Sequence, residues 1–254
     1  MKDERELLFK RFTELLNKSA NAAYFTFTPF LGLMEKAVFE EARCAFGKAS
    51  YSEFGGTEGT ERVIIRFGDP EELGYEEPFP IKILKIAPKS EKFAEALSHR
   101  DYLGSILALG IERDLIGDIA ICDKTAFVFV KDDIAEYISS SLTKIRRTDV
   151  VISEVAEDEI SDIELYRTEP ITVQLSGERV DAVISKVYRI SRDESLSLVK
   201  CGKVFISGKL LDSASHTPKA GDIISVRGYG RFIYRGQIST SKKGKLNVLV
   251  DVYK

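Results

Sequence analysis

The chain has 254 residues, 44% hydrophobic and 30% charged, which is enough apolar material for one large core or several small ones. It contains no run of about 18 apolar residues, and its N-terminal stretch MKDERELLFKRF is charged where a signal peptide would be apolar. We therefore expect a cytoplasmic protein without a membrane partner. Cys44, Cys122 and Cys201 stand too far apart for a disulfide framework or a CxxC metal site, so we expect three buried free thiols.

Charge is distributed unevenly along the chain. Residues 179–254 contain 15 Lys and Arg against 6 Asp and Glu, whereas residues 1–178 contain 22 against 34. A strongly basic segment on an acidic body is typical of a nucleic-acid-binding module, although a merely solvated basic face gives the same count.

The first region, residues 1–76, is predicted to be mainly helical. Apolar residues recur at helical spacing from Leu7 to Leu16, and Thr28 followed by Pro29 indicates the start of a second helix that runs to about Phe46. The Gly-rich stretch SEFGGTEGTE then interrupts the pattern before a strand, RVIIRF.

The second region, residues 77–160, alternates strands and helices in the order βαββαβ. Its strands are IKILKIA, GDIAICD, KTAFVFVK and DVVISEV, and its helices fall in residues 90–109 and in DDIAEYISSSLTKI. This order predicts a ferredoxin-like sandwich, which is also the topology of the RNA recognition motif. Phe127 and Phe129 are candidates for stacking on bases, with core packing as the alternative for at least one of them.

The third region, residues 177–254, follows a linker or strand at residues 161–176 and is predicted to place two antiparallel helices on a small antiparallel sheet. RVDAVISKVY has one apolar helical face. A second helix begins at Ser191, with Glu194 completing a capping box and Leu196 and Val199 facing inward, and it ends before Gly202. KVFISGKLL then indicates a hairpin with a Ser-Gly turn, and PKAGD leads into further strands. The fold class is α+β throughout.

Two resemblances follow from these motifs. The order Arg-x-Asp, Ser-Arg, Gly-x-Val-x-Ile-x-Gly-Lys and Pro-x-x-Gly-Asp between Arg179 and about Gly230 resembles the RNA-binding domain named after ribosomal small-subunit protein four. The stretches TPFL, GGTEGTERVIIRF and HRDYLGSILALGIERDLIGDI resemble the bacterial YlmH family. That resemblance implies a factor that binds the large ribosomal subunit with transfer RNA during quality control of obstructed translation, and older descriptions link the family to cell division.

The predicted RNA contacts lie in the third region. The start of the second helix offers free N–H groups beside the Ser191 cap and Arg192, which together suit a phosphate. By resemblance, the face that grips a structured RNA consists of Arg179, Lys186, Arg189, Ser191, Arg192, Lys200, Lys203 and Lys209, extended by Arg227, Arg231, Arg235 and Tyr229. We expect docking by charge and shape, to ribosomal RNA of the large subunit, transfer RNA or both.

Catalytic interpretations are weaker. HRDYLGSI contains the His-Arg-Asp of a kinase loop, but Ile106 stands where that loop needs Asn, and GKVFISGKL departs from a phosphate-binding loop in spacing. His99 and His216 are the only histidines, and Asp101 is expected to cap a helix and Asp118 to begin a strand. We therefore predict no enzyme activity, cofactor, metal or small-molecule substrate, and a monomer. An RNA-modifying enzyme and an interaction protein of cell division remain as alternatives.

Overall fold

The computed structural model describes residues 2–47, 49–160 and 168–253. They form two compact units, Met1–Leu165 and Tyr166–Lys254, each of which mixes helices and strands as the α+β prediction requires. In the part of the chain that the structure describes, every helix is too short or too polar to cross a membrane.

The N-terminal part of the first unit combines helices with a three-stranded antiparallel sheet. It contains α1 (Lys2–Ala22), β1 (Thr26–Phe27), α2 (Leu33–Ala42), β2 (Tyr51–Phe54), β3 (Ile64–Phe67) and the single-turn helix α3 (Pro70–Leu73). The sheet order is β1-β3-β2, and the rings of Phe12, Phe39 and Phe67 form its buried core. β2 lies partly within the Gly-rich stretch that we interpreted as a connection, so this region is less helical than predicted.

The predicted start of the second helix at Thr28-Pro29 is wrong. Thr28 pairs with β3 instead, because its N–H donates to the carbonyl of Ile65 (2.9 Å) and its hydroxyl accepts from the Ile65 N–H (2.9 Å). The helix begins only after Gly32. Pairing with a neighbouring strand has therefore overridden a local capping signal.

The rest of the first unit is built on a five-stranded antiparallel sheet. Its elements are β4 (Ile81–Pro88), α4 (His99–Leu107), β5 (Ile116–Cys122), β6 (Thr125–Lys131), α5 (Asp132–Ser141), β7 (Lys144–Ile145), β8 (Thr148–Val155) and the single-turn helix α6 (Glu157–Ile160). The sheet order is β5-β6-β4-β8-β7. Tyr102 and Ile106 of α4 and Ile138 of α5 pack with Leu84 and Val128 on one face of this sheet.

The opposite face of this sheet is covered by the N-terminal part of the same unit. A Cβ added to Gly56 would lie 2.3 Å from the ring of Phe129, and one added to Gly117 would lie 2.7 Å from the ring of Phe30. The Phe30 N–H also donates to the carbonyl of Asp114 at 2.8 Å. The two regions predicted as separate domains, 1–76 and 77–160, therefore share one packed interface.

That cover removes the predicted stacking residues from solvent. Phe127 is 3% exposed and Phe129 is fully buried. Neither ring can stack on a base in this structure, so the core-packing alternative holds for both.

The second unit places two helices on a six-stranded antiparallel sheet. Its elements are β9 (Thr168–Leu175), α7 (Val180–Val187), α8 (Arg192–Lys200), β10 (Val204–Ile206), β11 (Lys209–Leu210), β12 (Ile223–Val226), β13 (Gly230–Thr240) and β14 (Leu246–Tyr253). The sheet order is β11-β10-β12-β13-β14-β9. Val183 and Ile184 of α7 and Val199 of α8 are buried against Phe232 and Val250 of the sheet.

Two details of this unit bear on the sequence prediction. β9 lies in the segment predicted to be a linker or strand, and it is a strand that pairs with β14 over eight residues and forms one edge of the sheet. The boundary at residue 176 therefore cuts inside the unit, while residues 161–167 lie outside the described residues. On α8, Leu198 and Val199 are buried, whereas Leu196 is only partly covered.

The cysteines are less buried than expected. Cys44 and Cys201 are exposed and Cys122 is partly exposed, and all three are free thiols. Each lies at or beyond the end of a helix or strand, where packing is incomplete.

Candidate RNA-binding surface

The two helices of the C-terminal unit meet at a buried carboxylate. Asp181, in the first turn of α7, is completely buried. Arg179 donates to it from Nε and Nη2 at 3.1 and 3.2 Å, and Arg192 at the start of α8 donates from Nη2 at 2.8 Å. The Ala182 N–H adds a fourth bond at 3.0 Å. A buried charge requires such partners, and here they come from two helix ends.

This arrangement orients both guanidinium groups without burying them. The side chains of Arg179 and Arg192 each remain 49% exposed. A guanidinium has five donors, so each arginine keeps N–H groups for another acceptor. The predicted residues Arg179 and Arg192 therefore lie together, with a fixed geometry that suits phosphate oxygens.

The start of α8 is capped as predicted, but only in part. The hydroxyl of Ser191 accepts from the Glu194 N–H at 3.0 Å. The carboxylate of Glu194 does not complete the capping box. It accepts from the hydroxyl of Tyr229 at 2.6 Å, because the loop between β12 and β13 approaches this helix end.

The end of α8 places three cations near the ends of two neighbouring strands. Gly202 has a φ of +64°, and the N–H groups of Gly202 and Lys203 bond to the carbonyls of Val199 and Leu198. This Schellman pattern ends the helix and directs the chain into β10. Lys200 and Lys203 are exposed there, and the N–H of Arg227 donates to the Lys203 carbonyl at 2.9 Å.

The hairpin β10–β11 has the predicted tight turn. Ser207 and Gly208 have φ values of +47° and +80°, as a type I′ turn requires. Lys209 follows the turn on the edge strand and is exposed.

The end of α7 displays two further predicted cations. Lys186 is exposed in its last turn, and Arg189 is exposed one residue beyond the helix cap. Arg189 has a φ of +55°, and the next N–H, of Ile190, bonds back to the carbonyl of Ser185 at 3.0 Å. A left-handed residue usually found as glycine is thus an arginine here.

Arg231 and Arg235 do not lie with these residues. Along β13, Phe232 and Tyr234 face the helices and are buried, so the alternating residues face the other side of the sheet. Arg231 lies 4.2 Å from the ring of Tyr253, and Arg235 donates to Asp251 at 2.6 Å. The single surface predicted from the sequence is therefore divided between two faces of the sheet.

Sequence reasoning missed two features of this unit. Lys242, Lys243 and Lys245 are exposed at the β13–β14 turn, and the stretch SKKGK was a visible signal for them. The role of Asp181 in fixing Arg179 and Arg192 was not foreseen, although the Arg-x-Asp spacing was noted. An aspartate in the first turn of one helix gives no sign in the sequence that its partner is an arginine at the start of the next helix.

The first unit differs from the C-terminal unit in its charge, which is acidic in residues 75–159. Residues 75–159 contain 11 Lys and Arg against 17 Asp and Glu. Arg146 and Arg147 form an exposed turn between β7 and β8, and Arg146 lies 3.5 Å from Asp101. This turn is the main exposed pair of adjacent arginines in that region.

The carboxylates considered for catalysis have structural partners. Asp101 accepts from the N–H and hydroxyl of Ser98 at the start of α4, and these bonds lower the pKa of Asp101. Asp118 accepts from the N–H groups of Glu61 and Arg62 at 2.6 and 3.1 Å, which ties the N-terminal part of the unit to β5. Among the described residues, no group of three or more potential ligands is placed to hold a metal ion.

Two partly buried arginines, Arg62 and Arg113, reinforce the same junction. Arg62 donates to the carbonyls of Ile116 and Phe30, both at 2.9 Å. Burial and the nearby charge of Arg62 lower the pKa of Arg113 to about 10. Arg113 donates to the Ile116 carbonyl as well. Both guanidinium groups donate to backbone carbonyls, so we assign Arg62 and Arg113 a structural role at this junction.

Comparison with known proteins agrees with a nucleic-acid-binding class for part of the chain. Residues 75–159 match the family model described as "Putative RNA-binding domain in YlmH", which covers a third of the chain. A curated relative, "Ribosome-associated protein quality control protein P2" of Bacillus subtilis (strain 168), is 27% identical over 205 residues, which are 78% of this chain and 76% of that protein. A solved structure, "Cell division protein ylmH from Streptococcus pneumoniae", is 24% identical with a TM-score of 0.49 and covers 61% of this chain and 93% of its own.

Proposed function

We propose that this chain is a non-catalytic RNA-binding factor that docks structured RNA through its C-terminal unit. The observation that carries the proposal is the convergence of Arg179 and Arg192 on the buried Asp181, within a segment of 15 basic and 6 acidic residues. Two half-exposed guanidiniums held in fixed positions suit a phosphate backbone, and the exposed lysines nearby add sequence-independent attraction.

The target that we propose is the large ribosomal subunit, through its ribosomal RNA, bound transfer RNA or both. The relative's printed name, "Ribosome-associated protein quality control protein P2", supports ribosome association and a role in quality control. The two helices, the Schellman end and the Ser-Gly hairpin support assignment of the C-terminal unit to the type of ribosomal small-subunit protein four. Charge and shape would then govern docking, since the deep groove of an RNA helix excludes side chains.

For residues 75–159 we propose a secondary role. The strand order β5-β6-β4-β8, with both helices on one face, supports a ferredoxin-like arrangement like that of RNA recognition motifs. Such motifs stack bases on the sheet face opposite the helices, and here that face is covered. Any RNA contact of this region would therefore use edges and loops such as the Arg146-Arg147 turn.

Co-sedimentation with separated ribosomal subunits tests the proposal. We expect the intact chain to sediment with the large subunit at low salt, and the Arg192→Ala/Lys203→Ala variant to remain in the supernatant. A Lys10→Ala/Arg11→Ala variant, which removes the same charge from the exposed side of α1, provides the matched control. Equal binding by both variants, or no binding by the unmodified chain to any ribosomal particle, would refute the proposal.

A further inference from the structure

The loop between β12 and β13 displays an exposed tyrosine. Tyr229 stands between Gly228 and Gly230, whose φ values are +89° and +116°. These left-handed conformations favour glycine and allow a tight turn, in which the Tyr229 N–H donates to the Val226 carbonyl at 3.0 Å. The turn leaves Tyr229 39% exposed.

The ring of Tyr229 is held in place from two sides. Its centroid lies 5.3 Å from that of Tyr188, which itself lies 5.9 Å from the buried ring of Phe232. Its hydroxyl donates to Glu194 at 2.6 Å, and this bond raises the pKa of Tyr229. An aromatic ring fixed in this way loses little conformational entropy when it binds a partner.

Cations lie near this ring, at the start of α8 and in the loop that carries the tyrosine. Glu194 belongs to the first turn of α8, so the Tyr229 hydroxyl lies at the helix end that begins with Arg192. Arg227 precedes the tyrosine by two residues and bonds through its N–H to Lys203. Rings placed among cations are the combination with which proteins hold unpaired nucleotides, since the cations bind the backbone and the ring stacks on the base.

We propose that Tyr229 is a stacking platform for one unpaired base of the bound RNA. The ligand class is a structured RNA in which a bulged or looped nucleotide adjoins a helical segment. Within an A-form helix both faces of each base are already stacked, so a protein ring can reach only a base that leaves the stack. The proposal rests on RNA binding by the C-terminal unit and adds a source of selectivity to it.

The chain contains no Trp, which permits a direct test. A Tyr229→Trp variant has a single tryptophan, at the proposed platform. It is titrated with an RNA hairpin that has a fully paired stem and with the same hairpin carrying one unpaired adenosine. We expect the unpaired adenosine to quench the tryptophan emission and the paired hairpin to leave it nearly unchanged. Tyr137→Trp, at an exposed position on α5, is the matched control and should respond to neither RNA.

Affinities of the full-length chain complete the test. The unmodified protein should prefer the hairpin with the unpaired adenosine by about 5- to 150-fold, which is the effect of one stacked base. Tyr229→Ala should abolish this preference by lowering affinity for the hairpin with the unpaired adenosine far more than affinity for the paired hairpin, and Tyr229→Phe should retain the preference because stacking does not need the hydroxyl.

The outcomes separate this inference from the proposed function. Equal affinity for the two hairpins, or an equal loss for both in Tyr229→Ala, overturns the platform. If Arg192→Ala still weakens binding of both hairpins in that case, the proposal that the C-terminal unit docks RNA stands without the platform. If neither hairpin binds at low salt, the proposed function fails together with the platform.

Discussion

Two regions of this molecule have features of RNA-binding modules, but they differ in net charge and in how much of the relevant surface is exposed. Residues 75–159 match a family model for RNA binding but contain 11 basic against 17 acidic residues, and one face of their sheet is covered. Residues 179–254 contain 15 basic against 6 acidic residues, and their arginines are held at an exposed surface.

This difference shows that strand order alone does not determine which face of a sheet is exposed to bind RNA. The order of strands in the first unit is compatible with base stacking, yet Gly56 and Phe30 pack where a base would lie. Fold alone does not establish function, and the accessible charge must be examined at the side-chain level. We therefore expect the basic unit to dominate RNA affinity.

The largest expected effect is the response to salt. If the C-terminal surface contacts six or more phosphates, affinity for transfer RNA should fall by about 10³-fold or more between 50 and 200 mM salt. Filter binding or fluorescence anisotropy at several salt concentrations measures this slope. A shallow slope would mean that the basic residues are merely solvated.

Matched double variants compare the two regions in the same assay. Arg192→Ala/Lys203→Ala should reduce the salt slope by about two, since each phosphate contact contributes about one. Arg146→Ala/Arg147→Ala removes equal charge from the first unit and should change the slope far less. A larger loss for the second variant would reverse the comparison.

The next effect concerns the carboxylate that organises the basic surface. Asp181→Asn should destabilise the chain by about 2 kcal/mol, because the buried carboxylate has two guanidinium partners that are themselves half exposed. The same change should weaken RNA binding, since Arg179 and Arg192 lose their common anchor. Urea unfolding and RNA titration measure the two effects.

Asp251→Asn serves as the control for that experiment. Asp251 has one arginine partner, Arg235, on the other face of the sheet. Its replacement should cost about 1 kcal/mol, because the variant loses a single ion pair whose arginine is half exposed. Equal losses in the two variants would show that Asp181 has no special organising role.

Local signals explain what the sequence allowed us to predict. The Ser191 cap, the Gly202 helix end and the Ser207-Gly208 turn depend on neighbouring residues, and all three are present in the structure. Long-range packing was not predictable in the same way. The cover over Phe129 and the separation of Arg231 from Arg192 depend on elements far apart in sequence, and nothing in the local pattern indicates them.

The covered sheet face supports a prediction about stability. Gly117→Ala should destabilise the first unit by about 1–3 kcal/mol, because the added methyl group would lie 2.7 Å from the Phe30 ring. Gly104→Ala, in the middle of α4 with nothing within 4 Å, should instead stabilise it by about 0.5–1 kcal/mol. Urea unfolding of the two variants measures these changes in the free energy of unfolding. Tolerance of Ala at residue 117 would mean that the cover is loose enough for a base to displace it.

The smallest expected effect separates stability from binding within the basic unit. Arg189 has a φ of +55°, which costs a non-glycine residue about 1–2 kcal/mol, partly offset by the entropy that glycine loses on folding. Arg189→Gly should therefore raise stability by about 0.5 kcal/mol while weakening RNA binding. Arg189→Ala removes the same charge but keeps the backbone strain, so its binding should fall equally without a gain in stability. If both variants bind RNA as the unmodified chain does, Arg189 lies outside the RNA contact and its strained conformation needs another explanation.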